Sequence, residues 1–448
     1  MGKYFGTDGI RGVAGSELDA SLAFRTGRAA ATVLTQIDGR APCVMIARDT
    51  RISCDMLEAA LAAGLCSAGA NVSLLGVLPT PAAAYLTVKF DAAMGVVISA
   101  SHNSFEHNGI KMFSCNGYKF SDSLEECIEG LIDDDSDVIR KTGKELGRIS
   151  SNHGYWTAEY IHHLASMYKE EFKGRIALDC ANGAATETAY ALFSEIGVDF
   201  DIYCDKPNGI NINNNCGSTH ISVLQDIVKK GQYDIGFAFD GDADRCLVVD
   251  ERGETIDGDM MLAVLACDMK LTGKLRGEAM VGTVVTNAGF DTFARDNDIH
   301  LHRAAVGDKN VLEMMWEKEC NIGGESSGHL IFSDDSTTGD GQLTALKFLN
   351  VLTASGGKAS DLVRGISIFP QVMPSYTLTG GTEQRDAIMS DVRLEAEISH
   401  SLESLSGEGR ILIRPSGTEP VIRVLVEAKT IELASKTAEH LISFIKSL

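Results

Sequence analysis

Val96, Val97 and Ile98 form a β-branched run that stops abruptly at Ser99-Ala100-Ser101-His102-Asn103, and this ending constrains the chain more than any other feature. Such a run reads as a buried strand, and its end as a loop of the kind in which α/β proteins place their chemistry. Ser101 sits beside His102, and Lys111 follows beyond an expected Asn108-Gly109 turn. A hydroxyl, an imidazole and an ammonium can therefore converge on one pocket suited to phosphate. There is no G-x-S-x-G elbow, and His102 is too near along the chain to serve readily as the base for Ser101, which argues against a conventional serine hydrolase.

Strand and helix patterns alternate around this loop. Residues 44–47 and 72–75 read as strands, and 21–34, 56–68 and 80–88 as helices, the last after breaks at Pro79 and Pro81. This is the pattern of a mostly parallel sheet with crossover helices. The acidic run 133–137 and the polar stretch to Asn152 read as an interdomain connection. A second unit follows, with helices near 156–167, 184–196 and 221–229 and strands at 175–179, 198–203 and 235–239. A third has strands near 280–285 and 299–303. From about Gly357 the character changes to α+β, with strands at 371–378 and 410–413, a helix at 386–399, a return at 421–428 and a final helix from Leu433. A chain of 448 residues is too long for one core. The expected fold is three similar mixed or mostly parallel α/β domains, at 1–150, 151–256 and 257–356, plus a C-terminal α+β domain at 357–448.

Asp240-Gly241-Asp242-Ala243-Asp244-Arg245 puts three carboxylates at alternate positions directly after an apolar strand. Crowded oxygen donors repel one another unless a divalent cation neutralises them, and carboxylates select Mg²⁺, Mn²⁺ or Ca²⁺. Asp240, Asp242, Asp244 and Glu251 also fit positions one, three, five and twelve of an EF-hand loop. Arg245, however, occupies the sixth position, where the sharp turn needs Gly, and the flanks read as strands. Magnesium beside a phosphate is the better expectation.

Two further loops carry polar sets. Gly323-Gly324-Glu325-Ser326-Ser327-Gly328-His329 offers an acceptor, hydroxyls and an imidazole able to bracket sugar hydroxyls. Arg414-Pro415-Ser416-Gly417-Thr418-Glu419-Pro420, with Arg423 beyond, combines an Arg fork, two hydroxyls and a Gly, the groups a phosphate dianion needs.

The formal charge of −22 argues against nucleic acid or an anionic membrane as partner. Attraction for a phosphate must then come from local Arg and Lys clusters or a bound cation. Eleven scattered cysteines without a C-x-x-C pair give no support to a zinc ribbon and fit a reducing cytoplasm. With no apolar leader and no 18-residue apolar span, a cytoplasmic placement is expected.

The four loops, in this order, resemble those of the α-D-phosphohexomutase superfamily over essentially the whole chain. The resemblance implies four domains around a central cleft, giving in turn the phosphoserine, magnesium, sugar and phosphate loops. The opening K-Y-F-G-T-D-G-I-R-G, the stretch G-I-N-I-N-N-N-C-G-S-T-H and Thr337-Thr338-Gly339-Asp340-Gly341 look like the branch acting on glucosamine phosphates rather than on neutral hexose phosphates. The implied reaction interconverts glucosamine 6-phosphate and glucosamine 1-phosphate, through a phosphoserine and a 1,6-bisphosphate of glucosamine or glucose. Ser101, Asp240, Asp242 and Asp244 would hold Mg²⁺; Arg11, His102, Lys111, Arg245 and His329 would support charge or move a proton. Glu325, Ser327 and Lys309 would meet the sugar, and Arg414, Ser416, Gly417, Thr418 and Arg423 the distal phosphate. A small phosphosugar is the expected partner, and a homodimer is implied by the resemblance. Three positions depart from the family pattern: Ser104, where Pro usually follows Ser-His-Asn, Ser326 and Lys309.

Overall fold

The computed structural model describes residues 2–6, 8–169, 171–378, 381–405, 409–415 and 421–448. They form two compact units, Met1–Val284 with His302–Val363 and Val285–Leu301 with Arg364–Leu448.

The first unit opens with a seven-stranded sheet of β1 (Phe5–Gly6), β2 (Gly9–Val13), β3 (Cys43–Arg48), β4 (Asn71–Val77), β5 (Met94–Ile98), β6 (His107–Ser114) and β7 (Ile149–Ser151). Their order is β1-β2-β6-β5-β3-β4-β7. β3 pairs parallel with β4 and β5, and β4 parallel with β7, while β6 runs antiparallel to β5 and β2. Every residue of β5 is buried, as its unbroken apolar run requires. Helices Ala20–Asp38 and Ser53–Ser67 cover the sheet, and Asp19 caps the first by accepting from the Leu22 N–H at 2.7 Å.

Two expectations are corrected here. Asn108 and Gly109 lie inside β6 rather than at a turn, and Gly109 serves close approach: a Cβ there would lie 2.6 Å from the Ser99 carbonyl oxygen. The polar stretch after residue 133 is not all connection, because it ends in the edge strand β7. Its exposed, serine-rich face hid the pairing from a pattern based on apolar alternation.

The second sheet holds β8 (Arg175–Asp179), β9 (Asp199–Tyr203), β10 (Ile235–Phe239), β11 (Cys246–Asp250) and β12 (Thr255–Ile256), in the order β12-β11-β10-β8-β9. The third holds β13 (Ala279–Thr283), β14 (His300–Ala304), β15 (Ile322–Gly324) and β16 (Leu330–Phe332), in the order β14-β13-β15-β16.

The second unit carries an antiparallel sheet of β17 (Gln371–Val372), β18 (Ser375–Thr377), β19 (Gly409–Pro415) and β20 (Val421–Ala428), backed by helix Ile431–Ser447. The strand expected over 371–378 is broken at Met373-Pro374, since Pro has no N–H for the ladder. The single helix expected over 386–399 is two, Gly381–Met389 and Val392–Ser404. Asp391 restarts the second by accepting from the Arg393 N–H at 2.8 Å.

One layout recurs. Each loop singled out in the sequence connects two adjacent antiparallel strands: β5 and β6, β10 and β11, β15 and β16, β19 and β20. In the first three sheets the leading strand of that pair also has a parallel neighbour, so its C-terminal end is fixed on both sides. No helix among the described residues is long and apolar enough to cross a membrane.

Candidate active site

Ser101 begins the loop after β5 with φ 51°, in the left-handed region that non-glycine residues rarely adopt. It is 1% exposed. Its Oγ donates to Asp240 Oδ2 at 2.7 Å and lies 3.4 Å from His102 Nδ1. Burial first, then the nearby Arg245 and Arg11, lowers the His102 pKa and favours its neutral form.

A buried clamp holds this strained turn. Arg51 Nη2 donates to the carbonyls of Ser101 and Asn103 at 2.9 Å each, and Nη1 to those of Ser104 and His107. Asp49 Oδ2 accepts from Arg51 Nε at 2.8 Å and from the Ser99 hydroxyl at 2.6 Å, and the Ser99 oxygen accepts from the Ser101 N–H at 2.9 Å. Asn213 Nδ2 reaches the same carbonyls, Ser101 at 2.9 Å and Asn103 at 3.1 Å. Ser104, which lacks the stiffness of a proline, is thus tied through its carbonyl instead.

Asp240, Asp242 and Asp244 are all buried, and one oxygen from each lies within 4.8 Å of the others. The loop brings them together through Ala243 at φ 54° and through Gly241, where a Cβ would meet the Ser101 carbonyl oxygen at 2.5 Å. Carboxylates this close repel by roughly 3 kcal/mol per pair at an effective dielectric of about 20. Burial, Asp244 and Asp242 push the Asp240 carboxyl well up. Asp242 Oδ1 and Asp244 Oδ1 are buried without a hydrogen-bond partner. Hard oxygen donors with unused lone pairs, beside the Ser101 hydroxyl, fit a divalent cation such as Mg²⁺. Because strands β10 and β11 flank the loop, the EF-hand reading fails.

Cations surround this acid cluster. Lys111, 2% exposed, places Nζ 2.7 Å from Asp242 Oδ2, 3.3 Å from Asp8 Oδ2 and 3.7 Å from Asp244 Oδ2. Burial opposes its charge, but these three carboxylates outweigh it and raise the Lys111 pKa, so the ammonium stays protonated. Asp8 pairs with Arg11 and Lys119, and Lys119 also reaches Asp308 Oδ2 at 2.5 Å. Thr80 donates its hydroxyl to Asp242 Oδ2 at 2.6 Å. The Arg245 N–H donates to Asp240 Oδ1 at 3.3 Å, and its Nε lies 3.8 Å from Asp244 Oδ1. His329 turns Nδ1 to Asp244 Oδ2 at 3.6 Å, while Nε2 accepts from the Gly339 N–H at 3.1 Å. Burial disfavours the imidazolium, yet Asp244 prevails and raises the His329 pKa.

Glu325 Oε1 accepts from the Gly307 N–H at 2.9 Å, and Ser327 Oγ is buried without a hydrogen-bond partner. Lys309 pairs with Asp122 at the start of helix Asp122–Asp133. In the second unit Arg414 and Arg423 lie directly opposite across β19 and β20. Ser416, Gly417 and Thr418 lie outside the described residues.

Sequence reasoning missed Asp8, Asp49, Arg51, Thr80, Lys119, Asn213 and Asp308. Asp8 stood in G-T-D-G-I-R-G, and Asp49 and Arg51 in R-D-T-R, where charged residues straight after the apolar run of β3 repeat the strand-end pattern. Lys119 and Asp308 carried no local signal, because their pairing joins segments far apart in sequence.

Family models for phosphoglucomutase/phosphomannomutase match in chain order: alpha/beta/alpha domain I over residues 2–138, domain II over 158–253, domain III over 257–368 and the C-terminal domain over 381–443. The phosphoglucosamine mutase of Acetivibrio thermocellus is 46% identical over 454 residues, covering 100% of this chain and 99% of that one. The fold matches the crystal structure of a phosphoglucomutase/phosphomannomutase family protein from Burkholderia thailandensis with a TM-score of 0.83 at 24% identity, covering 99% and 97% of the two chains. It also matches the N-acetylphosphoglucosamine mutase of Aspergillus fumigatus in complex with GlcNAc-6P and magnesium, with a TM-score of 0.67 at 18% identity and coverage of 99% and 95%. The chain belongs to the phosphoglucomutase/phosphomannomutase family.

Proposed function

We propose that this chain is a phosphoglucosamine mutase, an isomerase that interconverts glucosamine 6-phosphate and glucosamine 1-phosphate by passing a phosphoryl group on and off Ser101. The observation that carries the reading is the 2.7 Å contact from Ser101 Oγ to Asp240 Oδ2, within a buried three-carboxylate loop ringed by cations. Whole-chain relatives of that name, at 46% identity, support the amino-sugar substrate.

Phosphorylated Ser101 transfers its phosphoryl group to the free hydroxyl of the sugar phosphate, giving a 1,6-bisphosphate. The intermediate turns over, and Ser101 takes back the other phosphoryl group. Arg51 and Asn213 hold the Ser101 loop through its carbonyls. Lys111, kept charged by its carboxylates, offsets charge on the transferring group, as do Arg11 and Arg245. His329 steadies Asp244, and His102 lines the Ser101 hydroxyl. Asp240, Asp242, Asp244 and Ser101 Oγ are the groups that would hold Mg²⁺, which supplies charge neutralisation of the phosphoryl group when bound. Glu325 and Ser327 are assigned to sugar hydroxyls, Lys309 to the sugar side, and Arg414, Ser416, Gly417, Thr418 and Arg423 to the non-reacting phosphate. Residues 1–150, 151–256, 257–356 and 357–448 are the proposed domains, and the protein is proposed to act in the cytoplasm as a homodimer.

Peptide mass spectrometry before and after glucose 1,6-bisphosphate, with a magnesium-dependent assay on glucosamine 6-phosphate, tests the reading. Phosphate on Ser101 together with glucosamine 1-phosphate as product is expected. Turnover of glucose 6-phosphate or mannose 6-phosphate alone would move the substrate to neutral hexoses, and no phosphate with no turnover would overturn the enzyme.

A further inference from the structure

A thiol pair, one member buried and one partly exposed, lies beside the Ser101 clamp and has no part in phosphoryl transfer. Cys204 follows β9 directly, and Cys216 closes the Asn-rich loop that starts there. Their sulfurs and one oxygen of Asp179, at the end of β8, lie within 4.8 Å of one another. Cys204 is partly exposed and Cys216 is buried. Asp179 is already committed: Oδ1 accepts from the Ala181 N–H at 2.9 Å and Oδ2 from the Gly217 N–H at 2.8 Å. The two sulfurs are therefore the free chemistry of the cluster.

We propose that Cys204 and Cys216 form a reversible disulfide that tunes the Ser101 loop, with a low-molecular-weight disulfide such as oxidised glutathione as oxidant. Cys204, the more accessible thiol, has its pKa raised by its hydrogen bond to Cys216 and by burial, so it reacts in the fraction that gives up its proton to solvent base; that thiolate attacks the small disulfide, forming a mixed disulfide and releasing one small thiol. The Cys216 thiolate then attacks the Cys204 sulfur, closing the protein disulfide and expelling the second small thiol. Two protein thiols are oxidised and one small disulfide is reduced to two thiols. Asn182 Nδ2 donates to the Cys216 sulfur at 3.6 Å, a contact that remains once Cys204 has been captured. Such a contact favours the thiolate that the second step needs.

The consequence runs through Asn213, which lies inside the loop the disulfide would close. Its N–H donates to the Ala181 carbonyl at 2.9 Å, and its amide holds the Ser101 and Asn103 carbonyls. Drawing the sulfurs from contact to a bond of about 2.0 Å shifts the base of that loop. Displacing a reacting group by about 1 Å can cost up to roughly 10²-fold in rate, so a loss of tenfold or more is expected. The disulfide itself stands without the mutase reading; its effect on turnover rests on it.

The test equilibrates the full-length protein in glutathione buffers of graded ratio, traps thiols by alkylation at acid pH, and reads linked peptides and glucosamine 6-phosphate turnover. A Cys204–Cys216 peptide rising as turnover falls, with recovery under dithiothreitol, is expected. C204S should stay active and become insensitive to oxidant, with C204A and C216A as second variants if it folds poorly. Both thiols remaining free at every ratio would overturn the proposal, as would equal inhibition of wild type and C204S. Stoichiometric zinc on protected thiols would overturn it as well and assign the cluster to a metal. A disulfide that forms in protein with no turnover under any condition keeps the modification site and sinks the mutase reading instead.

Discussion

Lys111 Nζ lies 2.7 Å from Asp242 Oδ2, and both groups are buried. The ammonium is thereby fixed at the wall of the three-carboxylate loop, with its charge held by Asp242, Asp8 and Asp244. Removing it leaves Asp242 facing its neighbours without compensation. Lys111→Met is expected to cost about 10²–10³ in kcat and to destabilise the fold by about 3 kcal/mol. Adding Asp242→Asn should return part of the stability and none of the activity. Thermal melts and turnover on the wild type and the two variants check this, and a K111M enzyme with wild-type kcat would remove Lys111 from the charge-supporting set.

Arg51 acts on the reaction through Ser101 and makes no contact that requires the substrate. Its planar fork spans carbonyls that a lysine ammonium cannot all reach. Arg51→Lys is expected to lower kcat by about 10-fold or more while KM stays near its wild-type value, because the loop geometry and not sugar binding is altered. Slower phosphorylation of Ser101 by glucose 1,6-bisphosphate should accompany the loss. A purely structural arginine would lower Tm and leave kcat per folded molecule unchanged.

These two residues show what the sequence could reveal. Ser101 and the three aspartates were legible because each follows an apolar strand and ends its periodicity within a few residues. Lys111 was legible by proximity along the chain. Arg51 lay at the end of β3 in an equivalent position, yet its function depends on carbonyls 50 to 56 residues away. The Asp8–Lys119–Asp308 relay is further removed still, because it joins residues 111 and 189 positions apart. Strand β7 escaped for a different reason: an exposed edge strand needs no apolar face.

Asp340 supplies a pH signature beside the metal loop, where the Gly341 N–H donates to the Ala243 carbonyl at 3.0 Å. It caps helix Gly341–Ser355 by accepting from the Leu343 N–H at 2.9 Å, and the Tyr160 hydroxyl donates to it at 2.8 Å. Burial outweighs these hydrogen bonds and pushes its pKa up from 3.8 to about 6. Between those values the folded protein holds a proton that the unfolded chain has lost, so stability falls as pH rises from about 4 to about 6. The contribution present below that window and lost above it is at most about 3 kcal/mol. Asp340→Asn keeps the cap and should flatten this part of the difference between wild-type and variant stability curves. Urea melts across the window measure it, and parallel curves would contradict the assignment.

The unpartnered oxygens of Asp242 and Asp244 predict that magnesium stabilises the folded chain even without sugar. At about one hundred times its Kd the ion should add about 2.7 kcal/mol. Chelation should abolish turnover and lower Tm together. In Asp244→Asn both responses should shrink, since the loop then presents two charged ligands. A melt that ignores magnesium in the wild type while activity still requires it would place the ion with the substrate and not on this loop.

Arg414 and Arg423 face each other across β19 and β20, which puts two guanidinium groups at one register position of the sheet. Each guanidinium offers charge-assisted hydrogen bonds to phosphate oxygens. Inorganic phosphate is therefore expected to raise Tm and to compete with the sugar phosphate. Arg423→Gln should weaken both effects and raise KM by about 10²-fold with a smaller change in kcat, because the phosphate held there does not react. A fall in kcat at unchanged KM would instead tie Arg423 to the transferring phosphoryl group. An unchanged response to inorganic phosphate would take the cross-strand pair out of anion binding altogether.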